Sequence, residues 1–266
     1  VGPPADLRHL SGPFDIVGDV HGCAGELAEL LERLGYRVCG FAGAAGSRVQ
    51  VIPPSGRRAV FVGDLVDRGP DSPAVLRIVM AMVEAGTAFC IPGNHDDKFL
   101  RWLDGRAVTI NHGLDTTIRQ MEAESGDFRL RVQAFLDSLP IYLQLDGGGL
   151  VIAHAGIRAS MIGRDGKAIR SFCLYGDTDG KTDAHGLALR YHWALQHAGV
   201  PNVVYGHTPV DSADWVNGTL CIDTGCVFGG ALTALRWPER EIVTIPAKSE
   251  WAKRLRPFGH PPAREM

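Results

Sequence analysis

The sequence predicts an α/β fold whose strands deliver polar loops at their carboxyl ends. Three observations lead there. Apolar runs of four or five residues precede loops of glycine with acids, amides and histidines, helical stripes follow two of those loops, and the last third of the chain is rich in β-like runs.

Phe14-Asp15-Ile16-Val17 reads as the first strand and runs into Gly18-Asp19-Val20-His21-Gly22. Leu27, Leu30, Leu31 and Leu34 keep the i, i+3, i+4, i+7 spacing of a buried helix face, and Gly35 stops that helix. A second unit repeats the logic: residues 59–62 as strand, 63–69 as loop, then Ser72 as N-cap with Pro73 at the first helical position. Leu76, Val79, Met80 and Val83 form its apolar stripe, closed by Gly86. Residues 87–91 make a third strand and deliver Gly93-Asn94-His95-Asp96; residues 97–139 read as helical, with Asp127 as an N-cap. Tyr142–Leu145 and Leu150–Ala153 flank Asp146-Gly147-Gly148-Gly149 as a hairpin, and its second strand presents His154. Residues 157–200 read as an irregular excursion with a short helix near 191–197. Residues 203–205 present Gly206-His207, and strands at 219–222, 231–236 and 241–245 complete the domain.

A chain of 266 residues with 45% hydrophobic residues can bury one large core. Its net charge of −3 argues against a broad basic surface for gripping duplex phosphates, though a site taking only a nucleic-acid end is compatible with it. The six cysteines form no CxxC pair and read as reduced packing residues, which with the lack of a signal peptide points to the cytoplasm. No apolar run approaches the roughly 20 residues of a membrane span. Both ends are proline-rich, so residues 1–10 are expected as a linker, 11–246 as the domain, and 247–266 as a linker or extension.

Five glycine-flanked runs carry the chemistry: 18–22, 63–69, 93–96, 154–156 and 206–208. Carboxylates, imidazoles and amide oxygens suit divalent manganese, nickel, zinc or iron. Asp19 and His21 can converge on one ion and Asp64 can bridge two, while Asn94, His154 and His207 complete the second ion's shell. Two ions roughly 3.5–4 Å apart hold a bridging hydroxide and neutralise the charge of an in-line phosphoryl displacement. His95, next to Asn94, suits a general acid for the leaving oxygen, with Asp67 fixing its tautomer and raising its pKa. Arg68 offers a fork for phosphate oxygens, with an ion pair to Asp71 or Asp64 as its alternative role; Arg158 is a second candidate for phosphate binding.

In this order the runs Gly-Asp-Val-His-Gly, Gly-Asp-Leu-Val-Asp-Arg-Gly, Gly-Asn-His-Asp, His-Ala-Gly and Gly-His-Thr resemble the phosphoprotein-phosphatase branch of the calcineurin-like metallophosphoesterases. The resemblance implies a central two-sheet β-sandwich flanked by helices with a helical insertion. It also implies a dinuclear centre on Asp19, His21, Asp64, Asn94, His154 and His207, with manganese the leading candidate. Residues 172–178, 204–210, 222–230 and 232–236 are further similar to the phosphatase module of bacterial polynucleotide kinase-phosphatase. That similarity implies removal of 3′-, 2′- and 2′,3′-cyclic phosphates from RNA or DNA ends, kinase and ligase-like domains attached to the same polypeptide, and a role for Asp223 in the site. Asp223 as a turn residue is the competing reading. A protein serine/threonine phosphatase and a diadenosine tetraphosphate hydrolase are the alternative activities, because they share the metal runs.

Overall fold

The computed structural model describes residues 2–40 and 49–264. Two six-stranded sheets pack face to face. One runs Asp223–Thr224, Ala231–Trp237, Phe14–Val17, Arg58–Phe61, Ala88–Cys90, with Glu241–Pro246 added onto Ala231–Trp237. Phe14–Val17, Arg58–Phe61 and Ala88–Cys90 are parallel, as helical crossovers require. The other sheet runs Ala5–Asp6, Tyr142–Leu145, Leu150–Ala153, Asn202–Tyr205, Thr219–Cys221, Trp215–Val216.

The alternation of side chains along each strand divides the core. Phe14, Ile16, Val60 and Val62 face inward and meet Leu143, Leu150, Ile152, Val204 and Leu220 between the sheets. Val17, Ala59 and Phe61 face outward beneath the helices Ala24–Arg33 and Ser72–Glu84, which bury the predicted Leu27, Leu30, Leu31, Leu76 and Val79. Each such leucine contributes about 1.5–3 kcal/mol of burial. The outer face of the second sheet packs Val151, Val203 and Tyr205 against Phe172 and Trp193. The chain therefore has the helix-flanked, two-sheet α/β arrangement expected for it.

Several local expectations change. Asp71 rather than Ser72 caps the second helix, its carboxylate accepting the Ala74 N–H at 2.9 Å, while the Ser72 hydroxyl turns toward Thr117. Ser125 rather than Asp127 caps Gly126–Ser138. The stretch expected to be helical over 97–139 is three helices, Asn94–Leu103, Leu114–Glu122 and Gly126–Ser138, with Gly105 and Gly113 at positive φ between the first two. The excursion at 157–200 contains a helix, Lys167–Tyr175, and a ribbon of Asp177–Thr182 with Ala188–Tyr191. The first ribbon strand is polar and largely exposed, so no apolar pattern announced it.

The two proline-rich ends hold fixed positions. Ala5–Asp6 pairs with Leu143 and Gln144, and Leu7 and Leu10 pack on the inter-sheet core. Residues 247–262 run back across the molecule, because proline ends ladders and helices without preventing aromatic packing. Among the described residues no helix is long and apolar enough to cross a membrane.

Candidate metal centre

The glycine-flanked loops meet at the carboxyl ends of the strands, where open α/β sheets place their sites. His21, Asp64, Asp67, Arg68 and His207 all take positive φ, an unfavourable conformation that the surrounding packing must enforce. The motif glycines admit carboxylates against the main chain. A Cβ on Gly93 would lie 2.0 Å from Asp64 Oδ1, and one on Gly206 would lie 1.9 Å from Asp19 Oδ1.

The donors converge in two groups that share Asp64: His21, Asp64 and His95, and Asp64, His154 and His207, each with ligand atoms within 4.8 Å of one another. His21 Nδ1–H donates to the Val66 carbonyl at 2.8 Å and His154 Nδ1–H to the Val62 carbonyl at 2.9 Å, so both rings aim an Nε2 lone pair into the centre. There His154 Nε2 lies 3.1 Å from Asn94 Oδ1, 3.2 Å from His207 Nδ1 and 3.5 Å from Asp64 Oδ2. Asp19 Oδ2 accepts the His207 N–H at 2.9 Å, whereas Asp19 Oδ1 and His207 Nε2 are buried with no partner. Converging lone pairs and orphaned buried acceptors are what a divalent cation satisfies. The residues fit metal ions.

Burial dominates the electrostatics. It pushes the carboxyls of Asp64 and Asp223 up to about 6 and Asp19 well above its usual range, and drives His154 down to about 3. Neutral imidazoles beside carboxyls that resist ionising are relieved by positive charge.

His95 Nδ1–H donates to Asp67 Oδ2 at 2.6 Å, and Asp67 is braced by the Thr117 hydroxyl at 2.7 Å. The expectation that Asp67 raises the His95 pKa is not met: burial first, then the adjacent Arg68 guanidinium, hold His95 well below its usual value. Arg68 pairs with neither Asp71 nor Asp64; it reaches His21 Nε2 at 2.6 Å and His95 Nε2 at 2.9 Å, and lies over the Phe228 ring. Asp223 lines the cavity, with Oδ1 accepting the Gly225 N–H at 3.0 Å.

Arg158 is not brought in. Its guanidinium pairs with Asp177 at 2.6 Å and lies over Phe172, and it is not among the residues lining the cavity. The cavity, about 870 Å³, is instead lined by cations that sequence reasoning missed: Lys98, Arg101, Arg190, Lys253, Arg254 and Arg256. With Arg68 these make seven lysines and arginines against two aspartates, Asp64 and Asp223, on a chain of net charge −3. Arg190 is half-buried, and its fork donates to the His207 carbonyl and the Thr208 hydroxyl, both at 3.0 Å. A lone cation amid Ala188, Leu189 and Tyr191 was its available signal, and basic residues interleaved with Trp251 and Phe258 marked the distal segment. A second cavity of about 1280 Å³, lined by Val51, Met80 and Phe128 among others, contains none of the donor groups described above.

A two-sheet α/β fold with paired histidine–aspartate donor groups at its strand ends defines a metal-dependent phosphoesterase. The family described as calcineurin-like phosphoesterase matches residues 12–234, and this chain belongs to that family. The chain is 44% identical over 250 residues to the bis(5′-nucleosyl)-tetraphosphatase PrpE [asymmetrical] of Anoxybacillus flavithermus, covering 92% of this chain and 99% of that protein. It is 47% identical over 239 residues to the enzyme so named in Halalkalibacterium halodurans, covering 88% and 94% respectively. A solved structure provisionally assigned as a diadenosine tetraphosphatase superposes with a TM-score of 0.64 at 24% identity, over 93% of this chain and 99% of that one. A protein serine/threonine phosphatase from Saccharomyces cerevisiae gives a TM-score of 0.59 at 14% identity, over 92% and 83%; both likenesses speak to fold.

These relatives overturn the expectation of a polynucleotide kinase-phosphatase module acting on RNA or DNA 3′-phosphate ends with attached kinase and ligase-like domains. The chain covers 99% of relatives that are named for another substrate. The residues behind that expectation explain the error. Phe172, Cys173, Leu174, Val204, Ile222, Leu232 and Leu235 are buried core, which sister families share without sharing substrates.

Proposed function

We propose that this protein hydrolyses bis(5′-nucleosyl) tetraphosphates asymmetrically, releasing a nucleoside monophosphate and a nucleoside triphosphate. The observation that carries this reading is the 42–47% identity, along nearly the whole chain, to enzymes named for that activity. The cation-lined cavity supports it, since a tetraphosphate bridge brings several negative charges to one centre.

Asp19, His21, Asp64, Asn94, His154 and His207 would hold two divalent cations, with manganese the leading candidate. When bound, such ions polarise phosphoryl oxygens and acidify water at the centre. The chain's own residues do the rest. The His95 backbone N–H donates to Asp64 Oδ1 at 3.0 Å and fixes that carboxylate between the two donor groups. A phosphate entering the cavity draws the Arg68 fork onto its non-bridging oxygens. This releases His95 Nε2 to take up a proton from solvent water and hand it to the leaving phosphate oxygen as its P–O bond breaks and a water oxygen bonds to phosphorus, while Asp67 holds the ring through Nδ1–H. Arg190 stays pinned beside His207 and presents its remaining donors to the phosphate chain.

The test is a panel of diadenosine tetraphosphate, a serine phosphopeptide and an RNA 3′-phosphate with the manganese-loaded protein. Release of AMP and ATP at a kcat/KM well above the other two is expected. Preference for the phosphopeptide, or cleavage to two ADP, overturns the proposal.

A further inference from the structure

We infer that residues 251–258 form a second binding subsite, which takes the phosphates beyond the scissile one and the distal nucleobase of a dinucleoside polyphosphate. This deepens the proposed function and rests on it.

The segment is fixed in place on both sides of the cavity. Glu26 Oε1 accepts both the Lys248 N–H at 2.9 Å and the Trp251 Nε1–H at 3.0 Å. The Ala252 N–H donates to the Val227 carbonyl at 3.0 Å, Arg256 pairs with Asp183 at 3.2 Å, and the Gly259 N–H donates to the Pro209 carbonyl at 2.9 Å. The Phe258 ring lies directly on the turn after Asp223: a Cβ on Gly225 would meet Phe258 Cζ at 2.4 Å.

A continuous file of cations and rings leads outward from the reactive centre. Arg68 touches His95 and lies 5.1 Å from the Phe228 centroid; Phe228 and Phe258 are 6.3 Å apart; Arg254 lies 5.1 Å from the Phe258 centroid. Among the described residues, Lys253 and Arg254 have no carboxylate partner, whereas Arg256 does. Exposed, unpaired cations beside half-buried rings match alternating phosphate and base, through charge-assisted hydrogen bonds and stacking. A lone phosphoryl group would reach only the His95–Arg68 end.

The experiment titrates the manganese-loaded protein with methylene-bridged diadenosine tetraphosphate, which cannot be cleaved, and with AMP, by calorimetry. Lys253→Ala with Arg254→Ala is expected to weaken the dinucleotide by about tenfold or more, the equivalent of ~1.4 kcal/mol. AMP should lose at least fivefold less. Phe258→Leu keeps an apolar cover on Gly225 and should weaken the dinucleotide severalfold through lost stacking. Arg8→Ala with Arg131→Ala, two cations outside the cavity lining, controls for the loss of two charges. Equal losses on both ligands, or an unchanged dinucleotide affinity, overturn the subsite. The proposed activity stands apart from this: a wild-type protein that binds the analogue through Lys253 and Arg254 yet releases no ATP from diadenosine tetraphosphate refutes the activity and keeps the subsite.

Discussion

Replacing Asp96 by alanine should unbrace the centre from beneath. Asp96 is fully buried in the first turn of Asn94–Leu103, with Oδ1 accepting the Leu65 N–H at 3.0 Å and Oδ2 accepting the Gly93 N–H at 2.8 Å. Leu65 follows Asp64 and Gly93 precedes Asn94, so one carboxylate ties together the two loops that supply the shared ligand and the amide ligand. Alanine leaves both amides buried without an acceptor, at about 1–3 kcal/mol each, or roughly 2–6 kcal/mol in all. At ~3 °C per kcal/mol for a chain of this size, Tm should fall by roughly 6–18 °C in thermal melts of the metal-free protein. Apparent manganese affinity, measured by calorimetry, should fall about tenfold or more, because outer groups orient the ligands. Asp96→Asn should lie between, since its amide nitrogen opposes one of the two N–H groups. A destabilisation of Asp96→Ala under about 0.5 kcal/mol would refute the reasoning, as that is the scale of a bland surface change.

Other perturbations test separate parts. Asp64→Ala should abolish turnover on every phosphoester and reduce manganese binding, since both donor groups lose their common carboxylate; calorimetry with two intact sites would contradict this. His95→Ala should cost about 10²–10⁴-fold on diadenosine tetraphosphate but far less on an aryl phosphate whose leaving group needs no proton, and equal losses would exclude the acid role. Gly156→Ala should destabilise by several kcal/mol and red-shift tryptophan emission. Its Cβ would lie 2.1 Å from Trp193 Cζ2 at a φ of +100°, so a melt close to wild type would be the refuting result. Saturating manganese at ~100 times its Kd should add about 2.7 kcal/mol of stability, and a chelator should remove it; a Tm indifferent to both would argue against ligation by this set.

The strands and the two units at 14–34 and 59–86 were legible because burial imposes a period on each: Phe14 and Ile16 inward, Val17 outward, Leu27 to Leu34 on one helix face. The ribbon at 177–191 was not, because Asp177–Thr182 is mostly solvent-exposed and carries no period. Helix caps slipped by one or two residues where two candidate oxygens stood close together, as with Asp71 and Ser72, and only the neighbouring Thr117 decided which one turned away. Arg158 shows the converse limit. Its spacing from His154 suggested the site, but Asp177, nineteen residues further on, holds it elsewhere.

The sequence by itself determined the class of chemistry. A ligand loop that must bring a carboxylate against a backbone needs glycine at that point, so Gly93 and Gly206 write the approach of Asp64 and Asp19 into short local runs. Substrate recognition has no such local requirement. Arg190, Lys253, Arg254 and Phe258 come from distant segments that share a cavity only because Glu26, Val227, Asp183 and Pro209 hold the distal chain in place. Long-range hydrogen bonds and packing fix that arrangement, and these depend on which residues meet in space. The tertiary structure alone gathered a wall of lysines and arginines on a chain whose overall charge is slightly negative.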